Sequence, residues 1–255
     1  MILTDTHTHL YSKEFDEDRE AVIRRALDQN VKRFFIPAID SSHTEAMYRL
    51  EQQDPERIFL MMGLHPSSVD DNYEIELQHV KEELEARKFY AVGEIGIDLY
   101  WEKKYLKQQQ DAFKRQIQLA KKYDLPIVIH CREAFDEIFE VLEMEKDEKL
   151  FGIFHCFSGN YEQAIRALSF NMKLGIGGVV TFKNGGLDKF ISQIPLENIV
   201  LETDAPYLAP APYRGKRNES SYIKIIAERL ANLYEVELEE IARITTQNSR
   251  DIFGV

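Results

Sequence analysis

Two histidines near the start of the chain, His7 and His9 in TDTHTHL, stand two residues apart in a strand-like run. In an extended strand positions i and i+2 face the same side, so both imidazoles can aim at one point. Taken alone, the pair is explained by a metal ion or by two hydrogen-bonded histidines near a strand end. What stands at the ends of later strands decides between them.

Those strands can be located from the pattern of side chains. Short β-branched and aromatic runs recur at 2–7, 33–38, 58–63, 89–95, 126–131, 151–156, 172–177 and 198–203. Amphipathic stretches at 16–30, 74–87, 105–123, 133–146 and 219–234 lie among them, and Phe113, Ile117 and Ala120 fall at helical spacing within one of these. The spacing of the strand starts leaves room for one crossover helix after each strand. The strands are near-continuous apolar runs, the pattern of strands covered on both faces. No Pro/Gly/Ser-rich linker divides the 255 residues, so a single-domain (β/α)8 TIM barrel of the α/β class is expected. A doubly wound open sheet is second, because no Gly-rich dinucleotide loop follows the first strand.

In such a barrel the reacting groups sit at the C-terminal ends of the strands. Here those ends carry His7 and His9, His65 in GLHP, Glu94 and Asp98 in GEIGID, and His130 and Arg132 in HCRE. His155 in HCFSG, and Glu202 and Asp204 in LETDAP, complete the set. Five of the seven histidines fall at strand ends, leaving His43 and His79 elsewhere, a concentration that packing roles do not explain. Imidazoles and carboxylates suit divalent ions such as zinc, manganese, cobalt or nickel. The set exceeds the needs of one tetrahedral ion, whereas two ions about 3.5–4 Å apart and bridged by a carboxylate would use all of it. Cys131 and Cys156 each follow a histidine directly. On a strand that turns them to the opposite face, where packing is the expected role.

With these residues assembled, the chain resembles the TatD-type metal-dependent deoxyribonucleases of the metallo-dependent hydrolase superfamily. The likeness runs end to end through TDTHTHL, GLHP, GEIGID, HCRE, HCFSG, LETDAP and PYRGKRNES. It implies two divalent ions (magnesium, manganese, zinc, nickel or cobalt), one on His7, His9 and Asp204 and the other on His130 and His155. Glu94 would bridge them, where many relatives use a carbamylated lysine. The family's last loop ends in Asn-Glu-Pro, whereas this chain has Asn218-Glu219-Ser220, which touches the shape of that loop and not the ligands. The resemblance also implies trimming of DNA, from a 3′ end.

On that scheme a water activated between the ions attacks phosphorus in line. Asp204 is the residue placed to orient the water and take its proton. Glu202, one pleat away, either holds a ligand histidine in its tautomer or touches the water itself. Arg214, Lys216 and Arg217 form the dense basic cluster near a strand end, where barrels often bind phosphate; the alternative is a solvated charge run. His65 and Arg132 are further candidates to reach the substrate. Tyr100, Trp101 and Tyr105 either stack on an unpaired base or pack against the next helix.

The formal net charge of −12 argues against general adhesion to nucleic acid but not against a local basic groove. With it, short or single-stranded DNA ends are expected as partner, rather than long duplex. No apolar run approaches membrane-spanning length and no signal-peptide pattern is present, so a cytoplasmic location and no membrane partner are expected. Two other functions compete. The same site could hydrolyse an ester or amide, such as an aminoacyl-tRNA ester or a lactone, or the chain could be a nucleic-acid-binding protein without catalysis. The complete ligand set speaks against the last.

Overall fold

The computed structural model describes residues 1–101 and 103–255. Among the described residues eight parallel strands alternate with helices along the chain. The strands are β1 (Leu3–Asp5), β2 (Val31–Ile36), β3 (Ile58–Leu60), β4 (Val92–Asp98), β5 (Ile127–Arg132), β6 (Gly152–Phe154), β7 (Met172–Ile176) and β8 (Ile199–Leu201). The helices are α1 (Arg19–Asp28), α2 (Thr44–Gln53), α3 (Tyr73–Ala86), α4 (Leu106–Lys122), α5 (Phe135–Met144), α6 (Tyr161–Leu168), α7 (Ile223–Tyr234) and α8 (Leu238–Phe253).

Strands β1 to β3 and β4 to β8 form two sheets in sequence order. Parallel bridges join them at both seams, Met62 with Val92 and Thr8 with Ala205. Thr6 adds a hydrogen bond from its backbone N–H to the Leu201 carbonyl at 3.0 Å. The expected barrel is therefore the observed fold.

The period of two along each strand divides the apolar residues into two layers. Val128, Ile153 and Val200 precede His130, His155 and Glu202 by two positions and face the same way. Together with Phe35, Phe59, Met61 and Ala91 they form an apolar floor inside the barrel. Phe253, at the end of α8, stacks on Phe35 with ring centroids 3.8 Å apart and contributes to that floor. The alternate positions, such as Ile127 and Ile129, join the larger core under the helices. Phe113, Ile117 and Ala120 of α4 are buried there, as their spacing predicts.

Several bounds differ from expectation. The first, third, sixth and eighth strands stop at residues 5, 60, 154 and 201, short of 7, 63, 156 and 203. His7 and His9 thus lie beyond the β1 ladder. Strand β4 errs the other way and runs to Asp98 rather than residue 95. Gly, Glu and Asp are poor strand formers by propensity, but pairing with β5 carries the strand through them. Among the described residues no helix is long and apolar enough to cross a membrane.

Candidate metal centre

Glu94 is the residue on which the others converge. The β4–β5 register shifts between Gly93 and Ile95, and such a bulge re-aims the side chain it carries. Two residues on, Gly96 has φ +143°, and a Cβ there would lie 2.0 Å from the His130 carbonyl oxygen. Glycine alone lets β4 approach β5 this closely between Glu94 and Asp98.

The Glu94 carboxylate faces a different group with each oxygen. Its Oε2 lies 3.1 Å from His7 Nε2 and 3.8 Å from His9 Nε2. Its Oε1 lies 2.8 Å from His130 Nδ1, 3.2 Å from His155 Nε2 and 3.3 Å from His65 Nε2. Asp204 Oδ1 closes the first side, 3.5 Å from His9 Nε2 and 3.9 Å from His7 Nε2. Asp204 itself is held with φ +59°, a strained backbone for a residue other than glycine and one often met at functional sites. Among the described residues three sets of candidate ligands each have one ligand atom per residue within 4.8 Å of the others: His7, His155 and Asp204; His7, His9 and Glu94; and His65, Glu94 and His130.

Behind these groups, further residues hold the rings. His130 donates from Nε2 to Asp98 Oδ2 at 2.9 Å, so its Nδ1 turns inward. His9 Nδ1 is 3.0 Å from the Tyr11 hydroxyl, leaving Nε2 toward Asp204. His155 Nδ1 lies 3.1 Å from Glu202 Oε1, which also accepts from the Cys156 backbone N–H at 2.7 Å. Glu202 is fully buried behind His155. A Cβ on Gly175 would fall 2.3 Å from Glu202 Oε2, so the bare glycine of β7 makes its room. Asp5 ties the end of β1 to the end of β8, accepting from Thr203 N at 2.9 Å and from Thr203 Oγ1 at 2.6 Å. The sequence pattern does not single out Asp5 or Tyr11; the local signals it holds are their spacings, Asp5 two residues before His7 and Tyr11 two residues after His9.

The electrostatics follow from burial and from these partners. Burial opposes ionisation of Glu94, yet His155, His65 and His7 hold its carboxyl well below the usual range. Burial likewise opposes charge on His155, but Glu202 and Glu94 keep its imidazole well above its ordinary value. His7 goes down because burial dominates and His155 lies against it, with ring centroids 3.6 Å apart. Burial pushes Asp5 up to about 7.

These residues fit divalent ions on a structural ground. Neither ring nitrogen of buried His7 makes a hydrogen bond of good geometry, although Nε2 lies 3.1 Å from Glu94 Oε2; a neutral imidazole has one nitrogen lone pair to give, and a divalent ion can take it up. The six sequence-predicted ligands, His7, His9, Glu94, His130, His155 and Asp204, all lie in this cluster.

The remaining predicted residues divide. His65 stands inside the cluster, its Nε2 3.2 Å from His130 Nδ1. Arg132 lies outside it, with its guanidinium over the Tyr100 ring. Arg214 lies 3.9 Å over the Phe182 ring and Lys216 5.9 Å from the Tyr213 ring. Arg217 is engaged elsewhere, donating to both Asp18 oxygens at 2.7 and 2.8 Å and to the Glu14 carbonyl at 2.6 Å. In the last loop Asn218 is buried and donates to the Thr203 and Tyr207 carbonyls at 2.7 and 2.6 Å, beside the serine that replaces proline. Cys131 and Cys156 are free thiols, and burial raises the first to about 12.

Comparison with known proteins agrees along the whole chain. The model of a family described as TatD related DNase matches residues 4–254. The chain is 41% identical over 256 residues to an uncharacterized metal-dependent hydrolase, YabD, of Bacillus subtilis, covering 100% of both. It is 30% identical to the 3′-5′ ssDNA/RNA exonuclease TatD of Pantoea ananatis, covering 98% of this chain and 99% of that one. The crystal structure of YjjV, a TatD homolog from Escherichia coli K12, superposes with a TM-score of 0.93 at 30% identity, covering 99% and 98%.

Proposed function

We propose that this chain, which belongs to the TatD family of metal-dependent hydrolases, cleaves phosphodiester bonds of DNA at single-stranded 3′ ends with two divalent ions. One observation carries the two-ion reading: Glu94 turns Oε2 to His7 and His9 and Oε1 to His130 and His155. A carboxylate with a ligand group on each oxygen is suited to bridging.

His7, His9 and Asp204 would hold one ion, His130 through Nδ1 and His155 through Nε2 the other, with Glu94 shared. Bound there, divalent ions supply Lewis acidity to a phosphoryl oxygen and make a water acidic near neutral pH. The chain's own residues do the rest. Asp204 is the acid best placed to accept the proton of the attacking water at its carboxylate. Glu202 sits behind His155 and acts as a positioning residue, fixing which ring nitrogen faces inward. Asp98 does the same for His130, and Tyr11 for His9. Arg214 and Lys216 draw the phosphate backbone to the rim, and His65, at the inner edge, meets the scissile group. The DNA reading draws on the basic loop and on relatives named as exonucleases of single strands.

The test is turnover of single-stranded DNA, a p-nitrophenyl phosphodiester and a lactone, with magnesium, manganese and zinc in parallel. Shortening of single strands from the 3′ end, faster than cleavage of the lactone, is expected. Turnover of the lactone alone overturns the DNA reading and leaves the hydrolase; turnover of none overturns both.

A further inference from the structure

We propose that Tyr100, Trp101 and Arg132 form a subsite that stacks one unpaired nucleobase and binds its neighbouring phosphate, selecting single-stranded ends. This rests on the nucleic-acid reading above and adds to it the residues that tell an unpaired end from a duplex.

The first observation is exposure. Trp101 is 71% exposed and Tyr100 50% exposed, at the end of a strand whose preceding residues are all buried. Two adjacent large rings left in water offer faces on which an unpaired base can stack. Tyr105, which shares the sequence signal, behaves differently: it packs against the core and donates to Asp71 at 3.2 Å. The choice between packing and stacking is thus resolved residue by residue.

The second observation is the cation. The Arg132 guanidinium carbon lies 3.7 Å from the Tyr100 ring centroid and 5.3 Å from that of Trp101. The two rings meet edge to face, 4.8 Å apart. Among the described residues no carboxylate pairs with Arg132, in a chain with 44 acidic and 32 basic residues. Stacked on an aromatic ring, a guanidinium has its face covered and its N–H edge free, the edge that binds phosphate.

The third observation joins this surface to the metal centre. Asp98 Oδ1 accepts from the backbone N–H of Tyr100 at 2.9 Å and of Trp101 at 3.3 Å. Its other oxygen accepts from His130 Nε2 at 2.9 Å. One carboxylate therefore fixes a ligand ring and the loop that carries both aromatics. Arg132 follows His130 by two residues on β5, and its carbonyl accepts from Leu99 N at 3.0 Å. A base in duplex DNA has both faces covered by its neighbours and cannot lie on Trp101, whereas an unpaired base can.

Trp101 is the chain's single tryptophan, so its fluorescence reports on the subsite directly. Metal-loaded protein is titrated with a hydrolysis-resistant, phosphorothioate-linked oligothymidylate, read by tryptophan fluorescence and by anisotropy of a dye on the oligonucleotide. Quenching in step with anisotropy is expected. Trp101→Ala, or abasic sites in the oligonucleotide, should weaken binding by roughly 5- to 100-fold, and Trp101→Phe should restore most of it. Arg132→Gln should lower the slope of log Kd against log salt by about 0.7. Binding without quenching, or Trp101→Ala binding as tightly as wild type, overturns the subsite and leaves the nucleic-acid reading standing. An unchanged salt slope removes Arg132 from it. Absence of both binding and DNA turnover overturns that reading and the subsite with it.

Discussion

His130 donates from Nε2 to Asp98 Oδ2 at 2.9 Å, and so presents Nδ1, not Nε2, to Glu94. A ligand histidine bound through its inner nitrogen depends on the partner of its outer one, because that partner fixes tautomer and orientation together. Asp98→Ala should therefore weaken divalent-ion binding by about 10- to 100-fold. Asp98→Asn should fall between, since its amide oxygen can still accept from Nε2. Competition against a chromophoric chelator measures both, and wild-type affinity in Asp98→Ala would show that the ring holds its pose unaided.

Asp204→Asn separates proton transfer from architecture. The side chain keeps its size and its place beside His9, but loses the charge that accepts a proton and favours an ion. Phosphodiester turnover should drop by a factor of about 100 or more, with the circular-dichroism spectrum unchanged. Near-wild-type turnover would remove Asp204 from the mechanism.

The candidate ligands are legible in the sequence because they stand at or just past the ends of apolar runs, and barrels gather such ends on one face. The partners of those ligands are harder to see. Asp5 acts across the barrel on Thr203, and no local pattern records such a pairing, whereas Tyr11 meets His9 from two positions further along the same loop, where nothing in the residue types alone marks it as a partner. Helices α2, α6 and α8 fall outside the stretches singled out from the sequence, although each has a marked apolar face and α6 opens with a capping box of Asn160 and Gln163, a signal that local sequence does carry. The loop arginines show the converse limit: Arg214 and Arg217 are alike in sequence, and only the fold pairs Arg217 with Asp18.

That pairing splits the basic loop into two roles with different salt behaviour. Neutralising Arg214 and Lys216 together should raise KM for DNA and flatten its dependence on salt, because a loop that neutralises fewer phosphates displaces fewer counterions on binding. Arg217→Gln should leave the slope near that of wild type. KM measured between about 50 and 200 mM salt distinguishes them, and a slope unmoved in the double variant would return the loop to a solvated charge run.

Arg217 and Asp18 instead fasten the last loop to the start of α1, and Arg25 reinforces them through Glu219 at 2.5 Å. Asp18 lies below its ordinary value chiefly because Arg217 donates to it, with Arg25 adding to the effect. A depressed carboxyl stabilises the fold above its unfolded pKa and ceases to do so as pH falls through the folded one. The pair is partly exposed, so Asp18→Asn should cost at most about 1 kcal/mol at neutral pH, roughly 2–4 °C in Tm. The gap to wild type should narrow as pH drops below about 4. Thermal melts at pH 7 and pH 3 measure it, and a gap that widens in acid would contradict the pairing.

Removing metal should loosen the barrel at the end that carries the His/Glu/Asp cluster. Buried His7 makes no hydrogen bond of good geometry at either ring nitrogen, and Glu94 and Asp204 are buried acids whose neighbours are imidazoles. A ligand that binds only the folded state at a hundred times its Kd stabilises by about 2.7 kcal/mol, which for a chain of this size is roughly 5–10 °C in Tm. Chelation should lower Tm by that amount, and zinc or manganese should restore it in proportion to the logarithm of concentration. Glu94→Gln should shrink the metal-dependent part, since it weakens the residue facing both ligand groups. A Tm indifferent to chelator in protein verified to be metal-loaded beforehand would mean that the cluster is stable without ions, and that the His7 nitrogens are satisfied in some other way.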